Sequence, residues 1–224
     1  MSRFQTTRWS LILAARGTPE LARPALEQLC RIYRPPVLAY IRRSGHADAE
    51  DLAQAFFLRF LERGGYVSAA PERGRFRALL LTSLRHFLED QRAQGMALKR
   101  GGTLAHDNAT EDLADPGETP EQAFTRAWMG TVVGRAMARL QGEWTRAGKH
   151  ERFEQLAPVL VAGDSDALQT LAVQTGIRAN TLAVQAHRMR QRLRQLVRLE
   201  LAQTVDGDQA VDEELATLRG ALDQ

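Results

Sequence analysis

The stretch DALQTLAVQTGIRANTLAVQAHRMRQRLRQLVR, residues 166–198, decides how the chain is read. Leu168, Leu171 and Ala172 form one apolar stripe, Gly176 breaks the chain, and Leu182, Ala186, Met189, Leu193 and Leu196 repeat at helical spacing. Two short helices joined at a glycine are the grammar of a helix-turn-helix. No acid falls between Ala167 and Arg198, whereas Arg178, Arg188, Arg190, Arg192, Arg194 and Arg198 are all positive. A one-signed surface of this kind attracts phosphate. With the second helix in a major groove, Arg178, Asn180, Thr181 and Gln185 would lie nearest the base edges, and Arg188, Arg190 and Arg192 nearest the backbone. Arginine, asparagine and glutamine side chains can each pair bidentately with purines.

Arginine richness alone proves little, because only Lys99 and Lys149 of the 30 basic residues are lysine. Segregation is the stronger sign. Elsewhere arginines and acids interleave, and from residue 101 to 121 the balance reverses: Asp107, Glu111, Asp112, Asp115, Glu118 and Glu121 have no basic neighbour. Basic blocks flank an acidic connector, although the net charge of the 224 residues is only +3. A hydrophobic share of 44% suffices for packed cores. One cysteine, Cys30, rules out an internal disulfide and reads as a small apolar residue. No apolar run is long enough to span a bilayer and no signal peptide opens the chain, so a cytoplasmic protein without a membrane partner is expected.

In chain order, Thr6 and Thr7 can cap a first helix that Gly17 ends. A second begins near Pro24, and Pro35-Pro36 should split it into a kinked pair that reaches Gly45. Over 48–62, Asp48 is a good N-cap, Glu50 and Asp51 favour the first turn, and Leu52, Phe56, Phe57, Phe60 and Leu61 make a dense apolar face. Asp51, Gln54 and Leu58 share a different side. A metal site built on Asp48, Glu50 and Asp51 is poor, because carboxylates at a helix start diverge and lack histidine partners. Gly64-Gly65 closes that helix, and a loop carries Tyr66 and Arg73 into a long helix over 75–94. Arg75, Arg77, Arg85, His86 and Arg92 lie off its apolar face. Beside Tyr66 and Phe76 they would suit a single strand, whose phosphates want cations and whose unpaired bases want aromatic faces. The two aromatics suit a core equally well.

Periodicity lapses over 95–120, which reads as a linker. Thr119, with Pro120, Glu121 and Gln122 behind it, starts a helix toward Gly148, and a short helix through Phe153 and Leu160 ends at Gly163. The acidic tail after Val205 carries Leu215, Leu218 and Leu222, so it can fold as a helix on a partner or on its own chain. The fold expected is all-α: a helical domain over 1–95, an acidic flexible linker over 96–120, a helix-turn-helix domain over 121–205, and an extension over 206–224.

Asp48-Ala49-Glu50-Asp51-Leu52-Ala53-Gln54-Ala55-Phe56-Phe57-Leu58-Arg59, then Phe76-Arg77-Ala78-Leu79-Leu80, then Ala186-His187-Arg188-Met189-Arg190-Gln191-Arg192-Leu193 within the helix-turn-helix, together resemble the extracytoplasmic-function sigma factors of bacterial RNA polymerase. The resemblance spans nearly the whole chain. It implies a non-catalytic subunit with no cofactor and no metal. Asp48, Glu50, Asp51 and Gln54 would dock on the largest polymerase subunit. The minus-ten element would be melted and captured by Tyr66, Arg73, Arg75, Phe76, Arg85, His86 and Arg92, with His86 where many relatives carry asparagine. Arg178, Asn180, Thr181, Gln185, Arg188, Arg190 and Arg192 would read the minus-35 element as duplex, near the second-largest subunit. Ala55 replaces an acid of the family pattern, Thr170 a glutamate, and Arg178 a capping serine. Asn180 is then the next residue able to cap, and would start the recognition helix two residues later.

Core polymerase, promoter DNA and an anti-sigma factor or other regulator are the partners this implies. A helix-turn-helix regulator that does not bind polymerase would instead read paired half-sites as a dimer. A sigma-like protein that binds polymerase without initiating is a third reading. An enzyme would need a convergent polar pocket, and no nucleophile, base and orienter stand at workable spacing.

Overall fold

The computed structural model describes residues 8–67, 69, 76–101, 117–162, 165–204 and 208–220. Nine helices account for their regular structure, with no strand among the described residues: α1 (Arg8–Ala15), α2 (Pro19–Arg43), α3 (Ala49–Glu62), α4 (Phe76–Gly101), α5 (Pro120–Arg146), α6 (His150–Ala162), α7 (Ser165–Thr175), α8 (Ala179–Ala202) and α9 (Asp208–Gly220). The all-α class is as expected.

Several element bounds are not. One helix replaces the expected kinked pair: α2 starts at Pro19, behind Thr18 at its N-cap, and stays helical through Pro24, Pro35 and Pro36. Prolines at 35 and 36 remove two amide donors from the ladder. Burial of Ile32, Tyr33, Val37 and Ile41 on both sides of the pair offsets that loss. At its other end, α4 continues to Gly101 rather than closing at Gln94. The remainder of the expected linker lies mainly in 102–116, outside the described residues, as do Thr6, Thr7 and Gly163.

Helix ends follow their sequence signals in part. Thr119 and Gln122 form a reciprocal capping box at the start of α5, the Thr119 amide donating to Oε1 of Gln122 at 2.6 Å and the Gln122 amide to Oγ1 of Thr119 at 3.2 Å. Asp48 occupies the N-cap position of α3, but its side chain makes no capping hydrogen bond. The turn from α7 to α8 needs its glycine, since Gly176 has φ +67°.

Two compact units result, and each has its own core. Residues up to Thr131 and those from Ala202 onward make the first, and Val132–Leu201 the second. These divisions differ from the expected bounds at 95, 120 and 205 chiefly at the start of α5. Ala123, Phe124 and Trp128 are sealed in the first core, where Trp128 stacks on Tyr33. Around that stack, Phe76 meets Tyr33 edge-on at 5.1 Å, and Phe56 meets Phe60 and Phe87 at 5.8 and 5.7 Å. In the second unit, Leu140, Phe153, Leu156, Leu182, Met189 and Leu196 form one apolar cluster.

Candidate nucleic-acid interface

Helix α3 of the first unit offers two different surfaces. Asp51, Gln54, Ala55 and Leu58 recur at helical spacing and are exposed, Leu58 by 59%. Asp48 is exposed as well. Glu50 is not available in the same way, because Arg34 holds one of its carboxylate oxygens and Arg42 the other, the latter at 2.8 Å. Both contacts lie on the solvent side, where an ion pair is weak, so Glu50 is tethered to α2 more than it stabilises the fold. The opposite side of α3 turns Phe56 and Phe60 inward.

Between that inner side and α4 lies a cleft of about 200 Å³. Phe56, Phe60 and Phe87 line its base, and Arg59, Arg63, Ser83, His86 and Asp90 its walls. Arg59 pairs with Asp90 and sits 5.7 Å from the Phe87 ring centre. A cation held over an aromatic face is a surface on which a planar group can stack. Gly65 also borders the cleft, and its backbone must come close. A Cβ there would stand 2.5 Å from the Phe60 ring. Of the described residues expected to take a single strand, only His86 lies at this cleft. Arg59, Arg63 and Asp90 were not among the expected site residues, although Arg59 and Arg63, the latter at the C-cap of α3, stand four apart and a helical projection would have put them on one side.

The other expected single-strand residues are dispersed. Arg85 and Arg92 are a heptad apart on a different side of α4, near Tyr40, and Arg92 donates to the Ser44 carbonyl at 3.4 Å. Burial pushes the Tyr40 hydroxyl up, and Glu121, which accepts its hydrogen bond at 3.2 Å, adds to the rise against the pull of the two arginines. Burial, then Arg92, lowers His46 next to them. Phe76 requires a correction. It is 3% exposed, wedged against Tyr33 and Phe60, and cannot stack on a base. Tyr66 also leans on the core, sharing a small apolar gap with Tyr33, Phe57 and Phe76. Its carbonyl and those of Val67 and Ala69 gather on the Arg16 guanidinium. Arg73 and Arg75 lie outside the described residues.

In the second unit, α8 presents an outward side: Asn180, Val184, His187, Arg188, Gln191, Arg194 and Arg198 are exposed and fall on one face at helical spacing. Thr181 is exposed in the first turn. Arg178, not Asn180, occupies the start: its carbonyl accepts from the amides of Thr181 and Leu182 at 2.9 and 3.2 Å, so the helix begins at Ala179. Backbone geometry sets that start without a capping side chain. Gln185 is half-buried, with its amide oxygen enclosed and unpartnered.

Two of the expected backbone contacts need correcting. Arg192 forks onto Glu143 of α5 at 2.9 and 2.7 Å and also reaches Gln195, while Arg190 donates to the Val159 carbonyl at 3.0 Å. Both guanidiniums are half-exposed and engaged with groups of their own unit. The Arg192 hydrogen bond, and then its charge, hold the Glu143 carboxyl below the ordinary glutamate range. Glu200, nearly buried, pairs in the same manner with Arg135 at 2.9 Å. One arginine of the acid-free run is therefore met by an acid from α5, and the outward charge includes Arg178, Arg188 and Arg194. His187 and Gln191 are exposed on this side and were not among the expected contacts, although the periodicity that turned Met189 inward places them outward.

Among the described residues, no three His, Cys, Asp or Glu side chains gather as a metal site requires, and no helix is long and apolar enough to cross a membrane. No family model, no characterised protein and no solved structure matches the chain.

Proposed function

We propose that this protein is a sigma-like transcription initiation factor that binds core RNA polymerase, captures an unpaired strand with its first unit and reads duplex DNA with the helix-turn-helix of its second. The observation that carries this reading is the double use of α3. Asp51 and Gln54, two of the four residues that the resemblance assigns to polymerase docking, share one exposed stripe with Leu58, and the reverse of the helix supplies the aromatic base of the cleft. One rigid element thus offers a docking face and a wall against which an unstacked base can lodge. Unstacking costs a few kcal/mol per base, and stacking in the captured strand offsets it. The outward row of α8 suits a major groove, with Asn180 and Thr181 foremost and Arg188 and Arg194 behind them.

The test is co-elution with core polymerase followed by run-off transcription on promoter libraries. Specific transcripts that depend on the protein are the expected result. Duplex binding without polymerase binding would replace this reading with a helix-turn-helix regulator, and an enzymatic reading would return if neither occurred.

A further inference from the structure

Helix α9 buries one face, with Val211 and Leu218 enclosed and Glu214 only 1% exposed between them. Nη2 of Arg77, in the first turn of α4, donates to the Glu214 carboxylate at 3.1 Å; Nε lies 2.9 Å from the other oxygen as an ion pair without hydrogen-bond alignment, and Arg77 also approaches Thr125 of α5 at 3.5 Å. Such a contact is a poor way to hold a helix. Two buried charges lose their water, and an apolar residue between Val211 and Leu218 would seat α9 at least as firmly. What an ion pair adds is conditionality, because the helix docks only while its carboxylate is the best anion available to that arginine.

Arg77 follows Phe76, so it stands where the chain leaves the loop expected to meet an unpaired strand. Arg85 and Arg92 lie exposed further along α4, on a different side from the His86 cleft, so the edge they form with Arg77 is separate from that cleft. Asp212 and Glu213 are exposed on α9. We propose that α9 is an intramolecular acidic strap, in which Glu214 occupies Arg77 as a stand-in for a nucleic-acid phosphate, so that α9 and single-stranded DNA compete for one edge of the first unit. This rests on the reading that the first unit binds single-stranded DNA.

The experiment uses the full chain and a short single-stranded DNA oligonucleotide. Amide exchange over 208–220 is expected to accelerate when the oligonucleotide is bound. Glu214→Gln is expected to bind it several-fold tighter, with a salt slope steeper by about 0.7, the share of one phosphate contact on a single strand. On an Arg77→Ala background that gain should vanish. Unchanged α9 exchange in the bound protein overturns the strap, as does a Glu214→Gln gain that survives Arg77→Ala. If Glu214→Gln fails to fold, exchange in the native chain decides alone. An oligonucleotide that binds neither native protein nor variant removes the single-strand reading itself, and the strap with it.

Discussion

Trp128 lies flat on Tyr33, ring centres 4.9 Å apart and planes within 5°, and this stack joins the first third of α5 to the middle of α2. Both residues are enclosed. Trp128→Ala should therefore destabilise the first unit by about 3–5 kcal/mol. Chemical denaturation followed by circular dichroism checks this, with Trp128→Phe expected to lose much less.

Arg188 and Arg192 are equally basic in sequence, yet one is exposed and the other forks onto Glu143. Arg188→Ala should flatten the salt dependence of duplex binding by about 0.9, one phosphate contact, with little change in stability. Arg192→Ala should do the reverse, lowering the melting temperature of the second unit and leaving the slope nearly unchanged. Equal effects on the slope would return Arg192 to the DNA surface.

The Glu143–Arg192 pair also gives stability a pH dependence. Because the folded carboxyl titrates below its unfolded counterpart, its contribution is complete above the ordinary glutamate range and is lost as pH falls through the lower, folded value. Glu143→Gln should flatten this part of the acid limb in a series of thermal melts, and it should leave stability near neutral pH lower than in the native chain.

At α3, Asp51→Arg reverses a charge on an exposed stripe without touching the core. Co-elution with core polymerase should be lost while the helical signal is retained. Retained co-elution would mean that a different surface docks.

His86→Ala should weaken capture of a single-stranded oligonucleotide by about 1 kcal/mol, the net worth of one hydrogen bond. His86→Asn should restore part of the loss. Filter binding on both variants measures this.

Helix content was legible in the sequence because amphipathic spacing is local. Leu182, Ala186, Met189 and Leu196 turn inward as their period requires. Long-range pairing was not legible, since nothing near Trp128 in sequence says which core it enters. Nor does anything near Arg192 reveal a glutamate 49 residues earlier. The same limit explains Phe76, whose aromatic ring fits a base or a core equally until Tyr33 and Phe60 are placed around it. Exposure of Asp51 and Gln54 was readable from α3 alone. The cleft was not, because Arg59, Arg63, His86 and Asp90 belong to two helices separated by a loop.

Gly65 leaves the first unit dependent on a missing side chain. With Phe60 fixed between Phe56 and Phe76, even a methyl group at position 65 would have to displace that ring, and the hollow beside His86 would change shape. If the cleft takes an unpaired base as proposed, a random mutation there would harm capture without altering any group that lines the contact. A genetic screen would score position 65 as functional, although what its lack of a side chain contributes there is room for the Phe60 ring.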